Sequence, residues 1–378
     1  MTALSQLLDN EILLIISVLF VGTIVLQLYY ILTIYRKLAF YHDNYETSTS
    51  EIPISIIIAA RNESKALREN LRSVLKQDYS NFEVIVVNNN SIDDSTQVLS
   101  EFEKEFKHLK TVVLDNAKFI RNGKKLPLTL GIKASKHEFL VFTDADCKPA
   151  SNQWLKEMAK GFQNNKDIVL GYGPHIKTNQ LINAIIRFDT AWIGITYFSY
   201  AIKSTPYMGV GRNLAYTKSA YNAVDGFKSH HYLPSGDDDL FIQEASINCT
   251  VGIQIDPKSY CLSHSKTSWS SWIKQKSRHY TTSYKYSFIK KLLLATYPVT
   301  LITAWISFVS LMILGDTVLF FSIVMGLFYL IKWWIQGRCL LKLNERKFAL
   351  FFPFWDLFYS CVSPLIYVLA KTKRNNKW

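Results

Sequence analysis

The sequence predicts an α/β domain with a mainly parallel sheet, flanked by transmembrane helices. Three observations carry this. Apolar, β-branched runs alternate with helical patterns between about residues 50 and 290. Polar clusters follow the first, second and fourth of those runs. The two ends of the chain are long apolar stretches with few charges. Alternating strands and helices build a parallel sheet, and ligands of such sheets bind at the carboxyl ends of the strands.

The elements follow in order. Residues 12–35 carry no charge over 24 positions, which exceeds a bilayer core of about 30 Å at 1.5 Å per residue. This stretch is too long for a signal-peptide core and lacks a small-residue cleavage site. Arg36 and Lys37 follow at once, so the positive-inside rule puts the N-terminus outside and the next segment in the cytoplasm. "ISIIIAA" (54–60) reads as a buried parallel strand. A helix over about 64–76 aligns Leu67, Leu71, Val74 and Leu75 on one face. "FEVIVV" (82–87), a helix near 95–106, "TVVL" (111–114), a helix near 126–135 and "EFLVFT" (138–143) continue the alternation. Residues 181–202 are nearly apolar but hold Arg187 and Asp189, both costly in a bilayer, so they read as a buried or membrane-resting helix. Toward the C-terminus, 292–314 and 317–336 read as spans. The stretch 348–370 contains Pro353, Asp356 and Pro364. A fourth span would also place the basic tail 371–378 outside, against the charge rule. It is therefore expected to be a re-entrant or interfacial element.

Net charge is +13, which suits nucleic acid, an anionic membrane or a phosphorylated substrate. The basic residues gather beside the membrane segments, which disfavours nucleic acid. Five cysteines show no CxxC pair and no metal spacing, the usage expected of free thiols in a reducing compartment.

Several polar groups carry chemistry. Asp144 and Asp146 form D-x-D directly after an apolar run. Residues two apart at a strand end point the same way, so the pair can hold a hard cation, Mg²⁺ or Mn²⁺, which in turn holds a diphosphate. A surface turn is the plain alternative. "SGDDDLF" (235–241) sets Asp237, Asp238 and Asp239 side by side. A helix N-terminus accounts for one or two acids there, whereas a catalytic base needs a carboxylate whose pKa its neighbours set. "QKSRH" puts Gln275, Arg278 and His279 within about one helical turn, in a basic, aromatic segment that also fits a helix resting on a membrane. Lys124 and Lys125 are equally well read as solvated. Cys147 reads as structural, and His264 receives no role.

Taken together, these residues resemble the family-2 glycosyltransferases, with a GT-A nucleotide-sugar-binding fold, from about residue 52 to 290. "IIIAARNESKALRENLRSVLKQDY" is similar to that family's opening strand and helix, and "FEVIVVNNNSIDDST" to its second strand and loop. "GKKLPLTLGIKAS" resembles its Gly-Lys segment, "FTDADCKP" its D-x-D, and "GDDDLF" the E-D motif. "QKSRH" stands where many members carry Q-x-x-R-W. The resemblance implies inverting transfer of a sugar from a nucleotide-sugar, a UDP-sugar being favoured, to a lipid or lipid-linked acceptor at the cell membrane. It implies Asp238 as catalytic base with Asp237 beside it, and Asp239 as cap of the next helix. It places Ala60, Arg61, Glu63, Asn89, Lys124, Asp144, Gln275, Arg278 and His279 at the donor, with the metal on Asp146 and Asp144. Two departures stand out. Asn88 and Asn89 replace the loop's usual aspartates, and His279 replaces tryptophan. The implied domains are a membrane helix (1–37), a cytoplasmic GT-A domain (50–267), a basic aromatic interface helix (268–291) and a membrane region of two or three helices (292–378). Two other readings stay open: a processive polysaccharide synthase and a non-catalytic nucleotide-binding membrane protein.

Overall fold

A computed structural model describes residues 11–43, 45, 51–114, 123–315 and 317–372. The chain forms two compact units, residues 1–41 with 286–369, and residues 42–285 with 370–378.

The second unit is a GT-A-like α/β domain. Its strands are β1 (Ile54–Ala60), β2 (Phe82–Asn89), β3 (Leu109–Leu114), β4 (Phe139–Asp144), β5 (Cys147–Pro149), β6 (Ile168–Leu170), β7 (Leu214–Thr217), β8 (Val251–Ile253) and β9 (Cys261–Ser263). Seven of them make one sheet in the order β3-β2-β1-β4-β7-β6-β8, and β5 pairs with β9. The four strands β3, β2, β1 and β4 are parallel. β7 is antiparallel to both neighbours, so the sheet is mixed. β1 and β2 are buried almost throughout, as strands covered on both faces must be. The helix Ser64–Leu75 buries Leu67, Leu71, Val74 and Leu75, and the helix Ser95–Glu105 buries Val98, Leu99 and Phe102. These side chains share one core with Ile56, Ile58, Val84 and Val86. The helix Lys125–Ala134 packs close to the sheet, where a Cβ on Gly131 would lie 2.6 Å from Ile57.

Two expected boundaries move. Asn88 and Asn89 belong to β2 rather than to the loop after it, because they keep register with Val113 and Leu114 of β3. Asp144 is the last residue of β4. The stretch Leu181–Ile202 is a helix of this unit, with most of its residues buried.

The first unit contains four helices long and apolar enough to cross a membrane: Glu11–Ala39, Phe288–Leu314, Val318–Lys342 and Phe352–Leu369. Polar side chains pin them together. Gln27 Nε2 donates to the Tyr297 carbonyl at 2.7 Å, and Gln336 Nε2 donates to the Tyr297 hydroxyl at 2.7 Å. The stretch expected to be re-entrant or interfacial, 348–370, falls largely in one continuous helix, Phe352–Thr372. Pro353 falls in its first turn, where a missing N–H costs nothing. The Asp356 carboxylate is met by Lys332 Nζ at 2.6 Å and by the Tyr329 hydroxyl at 3.1 Å. Residues 373–378 of the basic tail lie outside the described residues.

Candidate active site

The parallel strands deliver the polar clusters to one edge. Ala60 ends β1 beside Asn88, and Ala59 stands beside Asp144. Ala60, Asn89 and Asp144 therefore share the carboxyl edge of the sheet. The loops after β1 and β2 are tied to one another. Asn62 takes the left-handed backbone (φ 56), which asparagine tolerates. Its N–H donates to Ser91 Oγ at 2.9 Å, and its Oδ1 accepts from the Ile92 N–H at 2.8 Å. Asp93 accepts from the Ser64 N–H at 2.9 Å and from Ser95 Oγ at 2.6 Å. Burial would raise the Asp93 pKa, yet the bonds from Ser95 and Ser64 hold it far below the carboxylate range. Asp93 thus organises both loops, a role no sequence motif marked. Asn88 is engaged with Thr96 Oγ1 at 2.9 Å. Asn89 is buried and Arg61 exposed, and no described residue hydrogen-bonds either side chain.

An acidic centre stands at the end of β4. Ligand atoms of Asp144, Asp146 and Cys147 lie within 4.8 Å of one another. Lys124 Nζ donates to Asp144 Oδ1 at 2.6 Å. Burial raises the Asp144 pKa, but Lys124 first, then Arg212 and Arg278, bring it below the ordinary value. Desolvation works to lower the Lys124 pKa, and Asp144, Asp237 and Asp146 together raise it above normal. Glu63 has a raised pKa, from burial and then from the charge of Asp146 and more weakly Asp144. The two aspartates suit a hard divalent ion, which prefers oxygen donors. The buried Cys147 thiol has a raised pKa and is a poor ligand for such an ion.

The second carboxylate group is built by the segment after Gly123. Gly123 adopts φ 132, and a Cβ there would lie 2.6 Å from the Pro234 carbonyl oxygen. Only glycine allows that approach. Lys125 is buried, not solvated. Its Nζ donates to the carbonyls of His230 (2.6 Å), Leu233 (3.1 Å) and Ser235 (2.7 Å). This ammonium fastens the loop that carries the three aspartates. Desolvation lowers its pKa to about 8 against the opposing charges of Asp237, Asp239 and Asp238.

The three aspartates differ. Asp238, rather than Asp239, is the N-cap of the helix Asp239–Ala245. Its Oδ1 accepts from the Asp239 N–H at 2.8 Å and its Oδ2 from the Gly211 N–H at 3.1 Å. Burial, then the charges of Asp237 and Asp239, raise the Asp238 pKa to about 8. Asp239 is buried and accepts from the Leu240 N–H and the Thr282 hydroxyl. Asp237 faces the same point as Asp238, since a Cβ on Gly211 would be 3.6 Å from one and 3.7 Å from the other.

The helix Trp269–His279 brings the remaining groups. Lys276 Nζ forms a buried ion pair with Asp189 at 2.5 Å, and Trp272 is buried. These two side chains face protein. Desolvation, then Lys276, Arg278, Arg212 and Lys124, lower the His279 pKa. Glu63, Lys124, Asp144, Asp146, Asp237, Asp238, Arg278 and His279 thus belong to one electrostatic cluster. Gln275 and Arg61 make no hydrogen bond or ion pair with it among the described residues. Arg212, to which the sequence alone gave no role, does belong to it.

An α/β domain whose parallel strands end in an acidic centre faced by lysine and arginine can hold a cation and an anionic ligand together. Residues 55–222 match the family described as "Glycosyl transferase family 2". That match runs from β1 to the helix after β7. Among curated relatives, the chain is 34% identical over 93 residues to a poly-beta-1,6-N-acetyl-D-glucosamine synthase of Staphylococcus epidermidis, covering 25% of this chain and 21% of that one. It is 31% identical over 104 residues to the beta-monoglucosyldiacylglycerol synthase of Trichormus variabilis, covering 27% and 22%. The chain thus spans only about a fifth of the length of these two relatives. A solved mannosyltransferase of Pyrobaculum calidifontis, in complex with GDP-Man and Mn²⁺, shares the fold with a TM-score of 0.55 at 16% identity, over 88% of this chain and 97% of that one.

Proposed function

We propose that this chain is a membrane-anchored, inverting glycosyltransferase that moves one sugar from a nucleotide-sugar to a lipid or lipid-linked acceptor on the cytoplasmic face of the cell membrane. One observation carries the proposal. Two aspartate groups in one cluster are pushed in opposite directions, Asp144 toward the ionised form and Asp238 to a pKa of about 8. Such divergence divides labour between charge-holding and proton-taking carboxylates.

In the proposed reaction the acceptor hydroxyl oxygen attacks the anomeric carbon from the face opposite the diphosphate. The bond from that carbon to the diphosphate oxygen breaks, through an oxocarbenium-like transition state. The hydroxyl proton passes to Asp238, which Gly211 and Asp239 hold in place through backbone N–H groups. A divalent cation on Asp144 and Asp146 would neutralise charge on the leaving diphosphate. Lys124 and Arg278 stand beside Asp144 to bind the same anion.

The lipid acceptor rests on the four membrane-length helices and on the Trichormus relative's name. The Staphylococcus relative's name favours a second reading, a processive polysaccharide synthase. Product length separates them. The full chain in lipid vesicles, given Mg²⁺ or Mn²⁺ and radiolabelled nucleotide-sugars with UDP-sugars first, is expected to yield lipid bearing one added sugar. A ladder of longer products would replace the first reading by the second, and transfer from no donor would end both.

A further inference from the structure

The turn Gly211–Asn213 joins the two carboxylate groups. Asn213 anchors it. This residue is fully buried, donates through Nδ2 to the carbonyls of Tyr172 (2.8 Å) and Ser259 (2.9 Å), and accepts at Oδ1 from Trp154 Nε1 at 3.0 Å. Gly211 at the other end gives its N–H to Asp238. Between these two fixed points stands Arg212. No described residue pairs with its guanidinium, and its Nε is buried without an acceptor. A buried cationic donor left unmet is costly, and each such group in a native structure calls for an explanation.

The surroundings supply one. Its neighbour Gly211 lies against Asp237 and Asp238, yet among the described residues no carboxylate comes within ion-pair distance of Arg212. Its stem lies on Gly173, where a Cβ would be 2.3 Å from Nε and 2.8 Å from Cγ. That position is bare, and the bareness seats the arginine. A guanidinium offers five donors in a planar fork that fits phosphate oxygens.

We propose that Arg212 is a donor-binding residue whose guanidinium takes the diphosphate of the nucleotide-sugar. The turn would then place a phosphate contact and the N–H that holds the base on consecutive residues. This inference rests on the glycosyl-transfer reading and adds to it a residue to which the sequence alone gave no role.

The test is calorimetric titration of the full chain in detergent, with Mn²⁺ present, using a nucleoside diphosphate and the matching free nucleoside. Arg212→Gln is expected to weaken diphosphate binding roughly 10- to 100-fold, the range of a charge-assisted contact, and to leave nucleoside binding unchanged. Arg212→Lys should fall between. Gly173→Ala keeps the charge but displaces the stem, and should reproduce the loss if Arg212→Gln does not fold. Diphosphate binding as tight in these variants as in the unaltered chain overturns the role of Arg212. An unaltered chain that binds no nucleoside diphosphate at all overturns the glycosyl-transfer reading, and this inference with it.

Discussion

At the scale of the residue, the proposed chemistry turns on Asp238. Its two oxygens accept from two backbone N–H groups, which would favour the charged form. Burial and the charges of Asp237 and Asp239 outweigh them and raise its pKa to about 8. A base must be deprotonated to act, and kcat/KM reports the free enzyme. Below about pH 8, log kcat/KM is expected to rise with slope one, and to level above it. Linkage has the opposite sign for stability. A carboxylate raised in the fold stabilises it below the unfolded pKa, and that contribution is lost as pH rises through about 8. The melting temperature of Asp238→Asn should therefore fall less between pH 6 and 9 than that of the unaltered chain. A flat kcat/KM profile across that range would remove Asp238 as the base. The three adjacent aspartates were conspicuous in the sequence. What holds Asp238 and Asp239 was not, because Gly211 and Thr282 lie far along the chain.

At the scale of the element, Lys124 and Lys125 divide a structural task. One reaches the D-x-D aspartate and the other the loop before Asp238. Lys125→Met would leave three carbonyls without their donor, at about 1–3 kcal/mol for each that water does not reach. Faster hydrogen exchange over residues 228–238 and weaker transfer, with donor binding retained, are the expected results. Unchanged exchange would show that the loop does not need the ammonium. The regular elements were legible in the sequence, because apolar periodicity reports burial directly. The faces of the helices Ser64–Leu75 and Ser95–Glu105 follow from it. Lys125 and Arg212 were not legible. Each is a cation in a glycine-flanked segment, and its meaning comes from partners that only the fold brings near. Lys276 likewise takes its meaning from Asp189, which lies far from it in the chain.

At the scale of the whole molecule, the chain combines an α/β domain, matched over residues 55–222 by the family-2 glycosyltransferase model, with helices of membrane length. Asp356 made the last helix look unfit to cross a bilayer. The fold answers with Lys332, buried beside it, and charges inside membrane segments are tolerated when paired in this way. That pairing joins two helices, so reading each helix alone could not reveal it. The central claim is that this chain transfers a sugar with Asp238 as base. The measurement that tests it most directly compares Asp238→Asn with the unaltered chain in lipid vesicles, recording donor binding and lipid-linked product together. The account predicts that Asp238→Asn binds the nucleotide-sugar as tightly but loses transfer by about 100-fold or more, the scale of general-base catalysis. Transfer undiminished in Asp238→Asn would contradict it.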